Sequence, residues 1–383
     1  MTPGAGARLV AMHPPKRDRL LGADAVRAVG MLGVVLIHAS AWGPRAPFHA
    51  IEQIARFSVP AFLVLTGVVL AYSYAGRRLG PGFARRRLAR TLLPWLAWAP
   101  VFVVFDVLTG SLSPDATDVG SFVVQGAGHL WFLLLVPQLY LLFAIWPRHH
   151  RWSLAAAALI VQLALCLVRL YVVFPGWQSQ LMLTYASLLF PFWIGYFAVG
   201  VAVGGSLRRP GAARRALHVW RAPLALGATA ATAGTGVALL LLHYPGSPYA
   251  SSFLGGTGAF LNPVLPLFVL SAVAMVAALV PPVLRRSRLL AAGVASLSEQ
   301  SLGVYIVHPI PLFFLGTFVF QGHMSGGGAP EALMFAALVS ATVIAALITV
   351  RLLRATRAAA VLGTSYAPLP LSRWRRPARA KAA

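Results

Sequence analysis

Disulfides cannot shape this chain, because its 383 residues include a single cysteine, Cys166, which lies within an apolar run. Acidic side chains are almost as scarce. Eight Asp and Glu stand against 32 Lys and Arg, and charged residues of both signs make up only 10% of the sequence, too few to coat a water-soluble core. Several enzyme signatures are missing as well: no H-E-x-x-H, no P-loop pattern and no G-x-S-x-G occurs. His149 and His150 sit between arginines without further donors at ligand spacing, so no metal is implied.

Long hydrophobic runs stand in their place. Hydrophobic residues make up 58% of the chain, and its mean hydropathy is +0.76. Crossing about 30 Å of hydrocarbon takes about 20 apolar residues in a helix. Runs of that length fall near 23–42, 56–76, 91–110, 129–147, 153–174, 181–204, 222–243, 262–282, 300–320 and 332–353. They predict an all-α integral membrane protein, a bundle of about ten transmembrane helices. The formal net charge of +24 would suit a nucleic-acid binder, but its distribution does not. The N-terminal tail, every second loop and the C-terminal region carry 28 of the 32 Lys and Arg, in stretches such as "RRLGPGFARRRLAR", "RRPGAARR" and "RRSR". This is the positive-inside pattern of a multi-pass cell-membrane protein with both termini in the cytoplasm. The charge thus reports topology, with membrane lipids as surroundings and no nucleic-acid partner. Loops on the opposite side hold only Arg45 and Arg56, while Arg27 and Arg169 fall inside spans.

Residues 1–22 read as a cytoplasmic basic tail, 23–353 as one membrane domain, and 354–383 as a second basic tail without stable structure. The tail, the apolar run and "ASA" at Ala39–Ala41 also have the outline of a secretory signal. Asp24 and Arg27 interrupt the start of that run, which favours an uncleaved first span. Glycine- and proline-rich pieces such as "HYPGSPYASSFLGGTG" and "QGHMSGGGAP" read as outer loops. No clear internal repeat is present, which weighs against a transporter of duplicated halves.

Two features of the spans carry chemistry. Arg27 and His38 are eleven residues apart, so on a helix they share one face about 16 Å apart, with Asp24 one turn before Arg27. Such a polar line faces the bundle or a water-filled cavity, because lipid would strand it. Arg87 and Arg90, in "RRRLARTLLPW", share a face where the third span enters the membrane. They read either as a positive-inside stop or as a phosphate clamp, since guanidinium forks match phosphate oxygens.

In order along the chain, "GADAVRAVGMLGVVLIHAS", "RFSVPAFLVLTG", the Arg87-x-x-Arg90 pair, "GHLWFLLLVPQLYLL" and "SLGVYIVHPIPL" resemble the acyltransferase 3 family of membrane O-acyltransferases. The resemblance runs from about residue 18 to about 353. Thr66-Gly67 stands where the family usually has Ser-Gly, which keeps the hydroxyl. It implies transfer of an acyl group, usually acetyl, from acyl-CoA as donor substrate, with no bound cofactor. The acceptor would be a hydroxyl of a glycan, a lipid-linked sugar or a small natural product. A hydroxyl is a poor nucleophile and needs a base within hydrogen-bond reach. Histidine suits that task, and the family resemblance assigns it to His38, with Arg27 on the same catalytic line. Arg27, Arg87 and Arg90 would then meet CoA phosphates on the cytoplasmic side. His129 is a candidate acceptor contact, with an interface histidine as the alternative; Trp131 is a weaker one, with belt or packing aromatic as the other reading. Glu299 lies near the cytoplasmic end of the ninth span, and His308 before Pro309 either orients substrate or packs helices. A carrier or flippase for a glycan or lipid is the competing class.

Overall fold

The computed structural model describes residues 20–42, 46–74, 79–80, 82–147, 151–171, 185–207, 221–242, 260–320 and 329–364. The basic tails through residue 19 and from 365, the loop histidines 149–150 and most of the two glycine-rich outer loops lie outside them. Among the described residues there is no strand. The α-helices described there run in chain order as α1 Leu21–Ala39, α2 Ala46–Ala55, α3 Ser58–Tyr74, α4 Gly82–Leu108, α5 Ala116–Val124, α6 Phe132–Ile145 and α7 Arg151–Tyr171, followed by α8 Ile194–Leu207, α9 Arg221–Leu242, α10 Leu265–Arg286, α11 Arg288–Val307, α12 Pro309–Leu315 and α13 Ala329–Arg354. Nine helices among the described residues are long and apolar enough to cross a bilayer. The protein is an all-α multi-pass membrane bundle.

Three departures from the hydropathy reading matter for the site. The expected sixth span, near 181–204, is a 14-residue helix, α8, preceded by two 3-10 turns at Ala186–Leu188 and Phe190–Phe192. The expected ninth span begins at Arg288 rather than near residue 300. Ser298, Glu299 and Gln300 dilute its hydropathy, yet Ser298 and Gln300 are buried against neighbouring helices. The third departure is the segment assigned to an outer loop. It forms α2, whose Phe48 and Ile51 pack with Ala39, Leu312 and Phe335, and it runs back along α1 before turning into α3. A Cβ on Gly33 of α1 would lie 2.8 Å from Ser58 Cβ and 3.3 Å from Ala55 O. Arg56, at that turn, is therefore inside the bundle and 4% exposed, not in an outer loop.

Helix α1 is the hub. It packs against α2, α3, α10, α11 and α13, so both its polar and its apolar faces meet protein. Outer helices such as α9 and α4 turn residues like Leu226 and Leu96 outward, 73% and 61% exposed, as a lipid-facing surface requires. After α13 the chain folds back as a 3-10 turn, Arg357–Leu362, where Leu362 is fully buried and Trp98 Nε1 on α4 donates 3.0 Å to Val361 O. Residues 357–362 are thus packed against the bundle, inside the stretch expected to lack structure.

Candidate active site

Three histidines from three distant parts of the chain meet near one end of α1. His38 stands on α1, His129 in the 3-10 turn Gly128–Trp131, and His308 in the break between α11 and α12. Their ring centroids are 5.0 Å apart for His38 and His308, 5.5 Å for His129 and His308, and 6.1 Å for His38 and His129. Local sequence explains each placement. Gly126 and Gly128 have positive φ and Ala127 is left-handed too, so the chain enters the 3-10 turn by a sharp bend that glycine makes inexpensive. Pro309 has no N–H to continue the α11 ladder, which leaves the Tyr305 carbonyl free to accept another donor. His308 Nδ1 takes that place at 2.9 Å and also lies 3.1 Å from Val304 O. His129 Nε2 is 3.1 Å from Ile306 O, and the Tyr305 hydroxyl donates to the His129 carbonyl. Carbonyls only accept, so His129 Nε2 and His308 Nδ1 each carry a proton. His308 is fully buried, whereas His38 and His129 keep part of their surface. Phe102 of α4 packs edge-on against His129, centroids 4.6 Å apart. Among the described residues, no group of His, Cys, Asp and Glu is arranged to hold a metal ion.

The opposite end of α1 is cationic. Asp24 is buried and accepts a 2.6 Å hydrogen bond from Ser298 Oγ of α11, and Arg27 donates to the same Oγ at 3.2 Å while lying 3.9 Å from Asp24. Glu299, next to that serine, is exposed on α11, and Ser298 joins α11 to the Asp24–Arg27 pair. Arg87 of α4 is held between two tyrosine rings, 5.6 Å from Tyr74 and 5.7 Å from Tyr140, with its guanidinium 3.4 Å from the Tyr74 hydroxyl. Arg90, one turn further along α4, is exposed. Arg27 of α1 and Arg87 and Arg90 of α4 thus lie toward the basic end, and the histidines cluster about three helical turns further along α1.

Not every candidate joins these two groups. Trp131 is 6% exposed and packs on Trp193 and Phe260, centroids 5.3 Å and 6.1 Å away, so it lies in an aromatic cluster rather than beside the histidines. Two buried residues that the sequence left unassigned stand out in the structure. Tyr305 packs 5.6 Å from the His129 ring, and the spacing Tyr305-x-x-His308 on one helix face was the available signal. Arg56 ion-pairs with Glu52 one turn earlier and lies 5.1 Å over the Phe260 ring, which belongs to the aromatic cluster of Trp131. Its signal was an acid four residues before a base in a chain with only eight acids.

The chain matches neither a curated protein nor a solved structure. A family model does match, described as an acyltransferase domain and covering residues 20–351, a stretch that includes the three histidines and the three arginines. The chain belongs to the acyltransferase 3 family, and the bundle of helices around α1 is a membrane acyltransferase domain.

Proposed function

We propose that the protein transfers an acyl group, with acetyl as the first candidate, from acyl-CoA to a hydroxyl of a glycan, a lipid-linked sugar or a small natural product. The observation that carries this reading is the single helix α1 joining a guanidinium group at Arg27 to the histidine cluster at His38. The diphosphate of CoA is recognised by Arg27, Arg87 and Arg90, whose forks suit phosphate oxygens, and Asp24 with Ser298 keeps Arg27 oriented. The pantetheine arm extends along α1 and brings the thioester to the histidines. There His38 accepts the hydroxyl proton as the acceptor oxygen attacks the thioester carbon. The C–S bond breaks, and the leaving thiolate takes the proton back, so His38 ends the cycle neutral. His129 borders the acceptor. The arginine end faces the cytoplasm, where CoA is found, and both termini lie on that side.

The test is acyl-CoA turnover by detergent-purified protein. Parent protein is expected to release CoA thiol from acetyl-CoA, and His38→Gln, which keeps polarity but removes the basic nitrogen, is expected to lose about 100- to 10,000-fold in rate. A Gln variant at the parental rate refutes the base role. Mass spectrometry of glycans, lipids and metabolites from parent and deletion strains then identifies the acceptor by a missing acyl increment; an unacylated molecule stranded on one side of the membrane would instead favour a carrier.

A further inference from the structure

We infer that His308 is a positioning residue that acts through His38, holding the ring of the proposed base by accepting a hydrogen bond from it. This rests on the reading of His38 as the base. His308 Nδ1 is committed to the carbonyls of Tyr305 and Val304, so its tautomer is set by the helix break at Pro309. The proton on Nδ1 leaves Nε2 as a bare lone pair. That nitrogen is buried without a hydrogen-bond partner, in a residue with no exposed surface, and the His38 ring is 5.0 Å away between centroids. Rings at that centroid separation can bring two facing imidazole nitrogens to about 2.9 Å, a normal hydrogen bond. An orphaned buried acceptor is costly, and since the His129 N–H is already given to Ile306 O, the His38 ring is the neighbouring imidazole left to donate to it.

The consequence for His38 is directional. With one ring N–H given to His308 Nε2, the other nitrogen of the partly exposed His38 keeps its lone pair for the acceptor. When that nitrogen takes the acceptor proton, the His38–His308 hydrogen bond becomes charge-assisted and strengthens. A carboxylate plays this part in serine hydrolase triads, fixing tautomer and orientation. Here a neutral imidazole does so, which suits a site at membrane depth because it adds no second buried charge.

Two substitutions separate this role from helix packing. His308→Asn places its amide where Nδ1 was, so it keeps the bonds to the carbonyls but loses the acceptor near His38. His308→Gln reaches the position of Nε2 and restores an acceptor. Release of CoA thiol from acetyl-CoA is measured on detergent-purified parent, H308N, H308Q, H38Q and the double variant H38Q/H308N. We expect H308N to lower kcat roughly ten- to hundredfold, less than the about 10⁴-fold loss when a charged orienting carboxylate is replaced, with KM for acetyl-CoA unchanged. H308Q is expected to stay within a few-fold of the parent, and H38Q/H308N to match H38Q, because residues acting as a unit are non-additive. Asn outperforming Gln, a raised KM with unchanged kcat, or a further loss in the double variant overturns the proposal and leaves the His38 reading intact. If H308N does not accumulate, H308Q decides alone: turnover at background overturns it. H38Q at the parental rate overturns the base reading itself.

Discussion

Replacing Gly67 with Ala tests how this bundle is held together. In "RFSVPAFLVLTG" the Thr66-Gly67 pair sits at mid-span, and its neighbours show why the residue is glycine. A Cβ at position 67 would lie 2.3 Å from Phe197 O and 2.7 Å from Val201 N, both backbone atoms of α8. From the other side, a Cβ on Gly200 would lie 2.1 Å from Val64 O and one on Gly204 2.3 Å from Val68 O. Among the described residues helices α3 and α8 form the most extensive helix pair, crossing through Gly67 and the Gly200-x-x-x-Gly204 step as small-residue membrane interfaces do. A comfortable C···O approach is about 3.3–3.6 Å, so one added methyl needs the helices to part by about 1 Å. Neither obstacle is a side chain that can rotate away. Overpacking of this kind costs roughly 1–3 kcal/mol, and the loss falls on the dispersion contacts that hold membrane helices together. The assay is the melting temperature of detergent-purified G67A and G200A, with G227A and G234A of α9 as controls, since nothing lies within 4 Å of a Cβ at either control. The interface variants should melt several degrees lower, and the controls should be neutral or slightly more stable, because Ala is a better helix former than Gly. G67A melting at or above the parent temperature, or controls falling equally, refutes the close-packing account.

Removing Glu52 alone, as E52L, should cost about 3–5 kcal/mol by leaving Arg56 charged in the interior, while E52L/R56M should recover most of it; equal melting of E52L and parent refutes a buried ion pair. Arg87→Ala should weaken acetyl-CoA binding about tenfold or more, the worth of one charge-assisted contact of roughly 1.5–3 kcal/mol, and Lys should rescue only partly because it loses the planar group stacked between Tyr74 and Tyr140. Unchanged affinity would reduce that arginine to a topology signal. Reporter fusions should place the Arg85–Arg90 segment in the cytoplasm and Ser113 outside; a cytoplasmic signal at both breaks the alternation of spans.

Much of the fold is legible in the amino-acid sequence, because a bilayer imposes length and composition on every helix that crosses it. Runs of apolar residues with basic loops between them locate most of the spans. Hydropathy misleads where polar residues are satisfied by protein instead of water. Ser298 and Gln300 look like the edge of a span and are buried within α11. Glu52 and Arg56 look like a solvated loop and are paired inside the bundle.

The site divides along the same line. Sequence by itself determined the register of Arg27 and His38, since an eleven-residue spacing on a regular helix leaves both on one face. It also determined the break at Pro309, which follows from a missing N–H. Only the tertiary structure decided that His129 and His308 meet His38, that Ser298 ties Asp24 and Arg27 to α11, and that Trp131 packs in an aromatic cluster. The physical reason is separation along the chain. His308 is 270 residues from His38, and no local periodicity records which helix faces will meet around α1.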